Sequence, residues 1–423
     1  MKSIPQTALR LCIAAVLMIG VAGLMTRPAV AAPRVRSTDH FLISYRSGFG
    51  SSASSETYID WVEDGLEAAV AAFLKAGFSI YSGQIPVYLV DSVTGELGAE
   101  YLESDGAGGW SPVIEIAVEA TMAEYLTYAY VETTMEDLVH STCAHEVFHV
   151  VQEYHSAHGI GDISEQSWIE AHATAVQEFV VPTANDYLEP ALEFLLAPDG
   201  MAFLQRTYDA GIFWVFAMQR YGVDVILKVM LASAVYDGIH ALDAALHPFG
   251  TSFLDLWSEF AVALATNALP DAAMIASAVP MEEGHGWWTR TRDPAPIPPP
   301  VHHATWTGEV VTIDAVNARQ QSEWIPLYED DPIGTSLRVA HAYGVDVVEI
   351  LIDVPKPLLI TFDGASDSTF RTWIASETAD GWTTLPFSDT ATIELDDGVS
   401  RLRLVVTRSE PGSGVYTVIL RAP

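Results

Sequence analysis

From Asp293 the chain reads DPAPIPPPV, with five prolines in the seven positions 294–300. Proline lacks a backbone N–H and clashes with the preceding helical turn, so no helix or central strand runs through such a stretch. An extended linker over 292–301 is predicted. The patterning differs on its two sides. Before it, from Met135 onward, apolar residues recur at helical spacing; after it, short runs alternate with a period of two. At 423 residues the chain also exceeds the size at which one hydrophobic core keeps growing. Two folded units are therefore expected, at 32–291 and 302–423.

Residues 1–31 are set aside from the fold as a signal peptide. Lys2 and Arg10 provide a positive start, Leu11 to Met25 an apolar stretch, and Ala29-Val30-Ala31 the small-x-small pattern of a cleavage site. The apolar stretch is shorter than the ~20 residues a spanning helix needs and runs into Thr26, Arg27 and Pro28, which favours a cleaved signal over an anchor. Secretion, to the medium or a periplasm, is expected. Nothing later is long and apolar enough to span a bilayer, so the mature chain is expected to be soluble. No long segment separates the signal from the first strand, so no inhibitory propeptide is expected.

Cys12 leaves with the signal, and Cys143 alone cannot form an internal disulfide. Its spacing suits neither a nucleophile nor a ligand, and it is expected to be a small buried hydrophobe on a helix. The net charge is −35, and loss of Lys2, Arg10 and Arg27 takes the mature chain to −38. Such a field disfavours nucleic acid and anionic membranes as partners.

The first hundred mature residues have the pattern of a small α/β layer. A strand is predicted at 40–45 (HFLISY), a helix over Tyr58 to Ala76 stopped by Gly77, and further strands at Pro86–Asp91 and Pro112–Val118. A mainly helical part follows, with helices predicted at 136–155, 165–180, 187–206, 210–221, 223–234 and 252–266. Beyond the linker, alternating runs at Glu309–Val316, Leu337–Tyr343, Val347–Val354, Leu358–Asp363, Phe370–Ala375, Ala391–Leu395, Arg401–Arg408 and Val415–Arg421 predict an all-β sandwich of about 120 residues. No catalytic constellation is visible in that second unit.

The stretch that carries chemistry is HEVFH at 145–149. On a helix, residues four apart share a face, so His145 and His149 can present both imidazoles to one ion, with Glu146 beside them. Zinc takes neutral imidazole and, with an open position, lowers the pKa of its bound water to about 7. A carboxylate at Glu146 can then take that water's proton as it attacks a carbonyl. Thr134 with Asp137 is a capping pair for a helix starting there, and Leu138, Ala144, Val147, Phe148 and Val151 give it buried faces.

A third protein ligand has two candidates. His155 stands at the spacing of HExxHxxGxxH, but the glycine position holds Gln152, and on an unbroken helix residue 155 points about 120° away from residue 149. Glu170, in SWIEAHA on the next predicted helix, is preferred, because Trp168, Ile169, Ala171 and Ala173 have a buried pattern and a buried carboxylate needs a partner.

HExxH followed at a distance by W-x-E-x-x-A resembles the gluzincins, on the thermolysin and alanyl-aminopeptidase side of the zinc peptidases. HEVFHVVQEYH with WIEAHATAVQEFVVPTANDYL is similar to a family of secreted bacterial metalloproteases of that clan, over roughly residues 135–235. Gluzincins often have Gly or another small residue near the third ligand, and here Ala171 follows it directly. The resemblance implies an α+β zincin-like peptidase domain followed by the sandwich, one catalytic Zn2+ held by His145, His149 and Glu170, and Glu146 as general base. It also implies a protein or peptide substrate. YDAG at 208–211 resembles the segment that stabilises the tetrahedral oxyanion in such aminopeptidases, which makes Tyr208 the candidate and His240 a weaker one.

Peptides in this clan add to an edge strand just before the active helix, a place that Pro112–Val118 would hold, led into by Gly108-Gly109-Trp110. The aminopeptidase signature GxMEN is absent, which favours an endopeptidase. The rival expectations are a zincin-like protein without turnover that binds through its sandwich, and an adhesin in which HEVFH is coincidental. An intact Glu146 favours the enzyme.

Overall fold

A computed structural model describes residues 33–423, apart from 47–52, 92–96, 105–109, 130–132, 160–165, 197–202, 270–280, 285–286, 291–300, 307–310, 316–344, 353–356, 365–369, 396–398, 409–415 and isolated positions. The signal peptide lies outside this range. So do the strand expected at Leu337–Tyr343 and the linker, except Val301, which opens a strand.

The chain begins with β1 (Arg34–Ser37), β2 (Phe41–Tyr45), α1 (Glu56–Ala76), β3 (Ile85–Val90), β4 (Gly98–Ser104) and β5 (Trp110–Ala117). These strands form one sheet in the order β1-β2-β3-β5-β4, parallel through β2, β3 and β5 and antiparallel at both ends. The helix α1 buries Tyr58, Ile59, Val62, Leu66, Ala69, Val70 and Phe73 along one stripe. Ser55 caps it by accepting the Tyr58 N–H, and Gly77 ends it at φ +94°, a left-handed conformation that costs a glycine little.

Among the described residues eight helices follow: α2 (Glu119–Tyr125), α3 (Met135–Ala157), α4 (Gln166–Val180), α5 (Leu188–Leu196), α6 (Gly211–Tyr221), α7 (Asp224–Ser233), α8 (Gly238–Leu246) and α9 (Phe253–Ala265). The helix expected over 187–206 stops at Leu196, just ahead of Pro198 and Gly200, and the chain continues through 3-10 turns at Phe203–Gln205 and Tyr208–Ala210. Two short helices, α2 and α8, were too brief for periodicity to show. Among the described residues no single helix is long and apolar enough to cross a membrane.

A hairpin of β6 (Met281–Gly284) and β7 (Trp287–Arg290) precedes the second unit. Its strands are β8 (Val301–Trp306), β9 (Val311–Ala315), β10 (Val345–Ile352), β11 (Leu358–Gly364), β12 (Phe370–Thr378), β13 (Gly381–Phe387), β14 (Thr390–Ile393), β15 (Arg401–Arg408) and β16 (Tyr416–Arg421). They form two sheets, β13-β12-β15-β10-β8 and β14-β11-β16-β9. Val348, Ile350, Leu402 and Leu404 of one meet Leu358, Ile360, Val418 and Leu420 of the other in a shared core. The alternation in the sequence is this inward face.

The opposite face of the first sheet is also covered. Val345, Val347 and Val405 join the core of the helical unit, where α9 packs on β12 and β15. Arg403, 5% exposed, donates to Glu349 Oε2 (3.0 Å) and to the carbonyl of Ala265 at the end of α9. The sandwich is therefore seated on the helical unit and not merely tethered to it.

Candidate metal centre

The helix α3 begins where Thr134 Oγ1 accepts the Asp137 N–H at 3.0 Å, the predicted cap. Val147, Phe148, Val150 and Val151 are each at most 1% exposed, so α3 runs through the core. Polar groups on such a helix lose their water and need partners. His145 is 8% exposed and Glu146 is 4% exposed, and His149 lies one turn on with its ring edge-on to that of His145, centroids 4.7 Å apart.

The helix α4 packs against α3 and brings Glu170 to this pair. Its Oε2 lies 3.2 Å from His145 Nε2 and 3.3 Å from His149 Nε2. The three ligand atoms lie within 4.8 Å of one another, a group able to hold a metal ion. A tetrahedral ion with bonds of about 2.0–2.1 Å sets its ligands about 3.3 Å apart, so the spacing suits one. Both Nδ1 atoms are engaged elsewhere. His145 Nδ1 bonds Gln177 Oε1 at 3.3 Å and His149 Nδ1 bonds Gln152 Oε1 at 2.8 Å, which leaves both Nε2 atoms facing Glu170.

The charges respond to this enclosure. Burial works against charging His149, but the hydrogen bond to Glu170 and the charges of Glu146 and Glu170 outweigh it and lift the imidazole to about 9. For Glu170 burial acts upward, and the hydrogen bonds from His145 and His149 overcome it, holding the carboxyl far below the carboxylate range. Protonated His149 thus forms an ion pair with Glu170, and a cation bound there would displace its proton.

One cleft contains the group. Gly98, Ala99, Glu100, Glu146, Gln152, Glu153, Ile169 and Tyr208 line it together with the three candidate ligands. Tyr208 stacks on His145, ring centroids 5.8 Å apart and planes 15° from parallel. Burial first, and then the charges of Glu153 and Glu146, push the Glu100 carboxyl up to about 8. Glu100 and Glu153 give the cleft an acidic wall.

The strand lying against the site is not the expected one. The strand β5, which takes in most of the run expected at Pro112–Val118, is paired on both sides, by β3 and by β4, and has no edge to offer. The sheet ends instead at β4, beside α3. A Cβ on Gly98 would come within 2.5 Å of Glu146 Oε1 and 2.7 Å of its Cγ, so the glycine lets the strand lie directly on the carboxylate. The segment GAEYLES alternates poorly and carries two glutamates, so it lacks the sequence pattern of a strand.

The remaining candidates lie elsewhere. His155 is buried behind the site, where Nε2 accepts the Ser79 N–H at 3.2 Å beside the Phe78 ring, so the unbroken helix does carry it away from His149. His240 is exposed on α8 and does not line the cleft. Cys143 is buried against α1, with Sγ 3.8 Å from the Val62 carbonyl, and burial drives its thiol pKa far up. Gln152, Gln177, Gly98 and Glu100 were missed. Gln152 at His149+3 shares a face of α3 with the ring it bonds, and Gln177 at Glu170+7 shares a face of α4 with Glu170, and that spacing was the available signal.

No family model matches the chain, and no curated protein matches it. Among solved structures it is similar to the pre-peptidase C-terminal domain of a collagenase from Bacillus anthracis, with 8% identity over 29% of this chain and 92% of that one, at a TM-score of 0.17. A second similarity is to CoII HppE in complex with Tris buffer, with 12% identity over 61% of this chain and 98% of that one, at a TM-score of 0.11. Likenesses at this level carry no argument about the site.

Proposed function

We propose that the chain is an exported zinc-dependent peptidase with a zincin-like catalytic unit of the gluzincin kind. The observation that carries this reading is the convergence of His145, His149 and Glu170 beside a buried Glu146 and a strand edge. Two neutral imidazoles and one carboxylate are a donor set that zinc accepts, with a position left for substrate or water. A bound zinc would supply Lewis acidity, acidifying water and polarising a carbonyl.

The chain's own residues do the rest. Glu146 Oε2 is buried at the cleft and takes the proton of the attacking water, then passes it to the leaving amine. Tyr208, placed across His145, donates its phenolic hydrogen to the developing oxyanion. Among the described residues β4 has no strand on its outer side, and an extended peptide pairs there by main-chain hydrogen bonds.

Purified protein is expected to hold about one zinc per chain and to cut casein into internal fragments. Chelation should abolish cutting and added zinc should restore it. Digestion indifferent to chelation, or no metal uptake, would overturn the reading. Gly98→Ala is expected to lower kcat about 10- to 100-fold with metal content kept, since the new methyl displaces the Glu146 carboxylate from its place. Steady-state kinetics with metal analysis checks it.

A further inference from the structure

We infer that Gln152 and Gln177 are positioning residues that fix which ring nitrogen of His149 and of His145 carries the proton. The inference rests on the proposed metal centre and concerns two amides rather than the ligands themselves.

The direction of each hydrogen bond follows from the group on the far side of each amide. Asp186, in the turn before α5, receives Gln177 Nε2 at 3.0 Å and the Tyr125 side chain, while Ser141 Oγ, 3.5 Å away, is 3.0 Å from the Leu138 carbonyl. With its NH2 donated outward to Asp186, the Gln177 amide turns its oxygen inward to His145. His145 then keeps its proton on Nδ1, so the nitrogen it can free for a metal is Nε2, which faces Glu170 and the cleft.

The second amide works in the same way. Gln152 Nε2 donates to the Ile169 carbonyl at 3.0 Å, and a backbone carbonyl has no proton to give. Gln152 Oε1 therefore faces His149 Nδ1 at 2.8 Å and holds a proton there, so His149 too has Nε2 as the nitrogen it can free for a metal. Ile169 immediately precedes Glu170, so this link also ties the carboxylate to the helix that carries the imidazoles. Gln152 occupies the position where HExxHxxGxxH would hold glycine. It keeps α3 unbroken and uses the face this frees to orient His149.

Without either amide, an imidazole is free to place its proton on Nε2 and to rotate, and both changes oppose metal binding. Gln177→Ala and Gln152→Ala are each expected to weaken zinc about 10- to 100-fold, measured by competition with a chromogenic chelator. The absorption spectrum of the Co2+-loaded forms should broaden. The double variant Gln177→Glu with Asp186→Asn reverses the two groups but keeps an amide donor against a carboxylate that accepts from His145. It should recover parental affinity, a rescue that a merely space-filling Gln177 would not show.

Circular dichroism melts of the metal-free variants separate lost folding from lost binding, and the double variant serves if Gln177→Ala unfolds. Parental affinity and an unchanged Co2+ spectrum in both single variants would overturn the inference alone. No metal uptake by the parent would overturn the centre itself.

Discussion

Glu146→Gln is expected to bind one metal ion as the parent does and to hydrolyse casein several orders of magnitude more slowly. The three ligand atoms come from His145, His149 and Glu170, so nothing that holds the ion is removed. The amide has the shape of the carboxylate and fits under Gly98, where the side chain is 4% exposed. What it lacks is basicity. A loss of a thousandfold corresponds to about 4 kcal/mol of transition-state stabilisation, within reach of a buried general base. Metal stoichiometry and kcat/KM measured together are decisive. Equal turnover by both forms would remove Glu146 from the chemistry, whereas parallel loss of metal and turnover would make it structural.

Arg403→Ala should lower the stability of the whole protein by about 3 kcal/mol, read as a shift in the urea midpoint at unchanged slope. Arg403 sits at the seam between the sandwich and α9. Its guanidinium meets Glu349 at 2.9–3.0 Å, donates to the Ala265 carbonyl at the end of α9, and lies 4.9 Å over the Trp382 ring. Removing it leaves Glu349, 8% exposed, facing Arg401 at 3.3 Å, and leaves the Ala265 carbonyl without this donor. Buried Glu349 then keeps Arg401 but loses its two shorter contacts, which is why the cost exceeds that of a surface bridge. Arg403→Met, which keeps the stem and its packing, should fall between the two. A shift below 1 kcal/mol would show that the seam contributes little to stability.

The two effects differ in how far they could be anticipated. The pair of imidazoles was legible because it depends on one helix: residues four apart share a face whatever surrounds them, and Thr134, Leu138 and Phe148 marked both the start of that helix and its burial. Glu170 was legible for a related reason, since a carboxylate set among Trp168, Ala171 and Ala173 requires a partner. Glycine at 77 and the alternation through 401–408 were equally local signals.

The missed features are those that depend on which surfaces meet. Whether β4 or β5 is the outer strand is a matter of sheet order, and the polar segment GAEYLES carries no mark of lying against Glu146. The identity of the groups holding His145 and His149 depended on two glutamines whose spacing alone could not orient their amides; only Asp186 and the Ile169 carbonyl do so. In β10 and β15 the valines of the outward face read like those of the inward face, because the sheet is covered on both sides. Local spacing thus determined the helix, its two imidazoles and the alternating strands, because one element's geometry suffices for them. Only tertiary packing decided the strand beside the site, the orientation of the imidazoles and the seat of the sandwich, because each arises where residues far apart in the chain exclude water together.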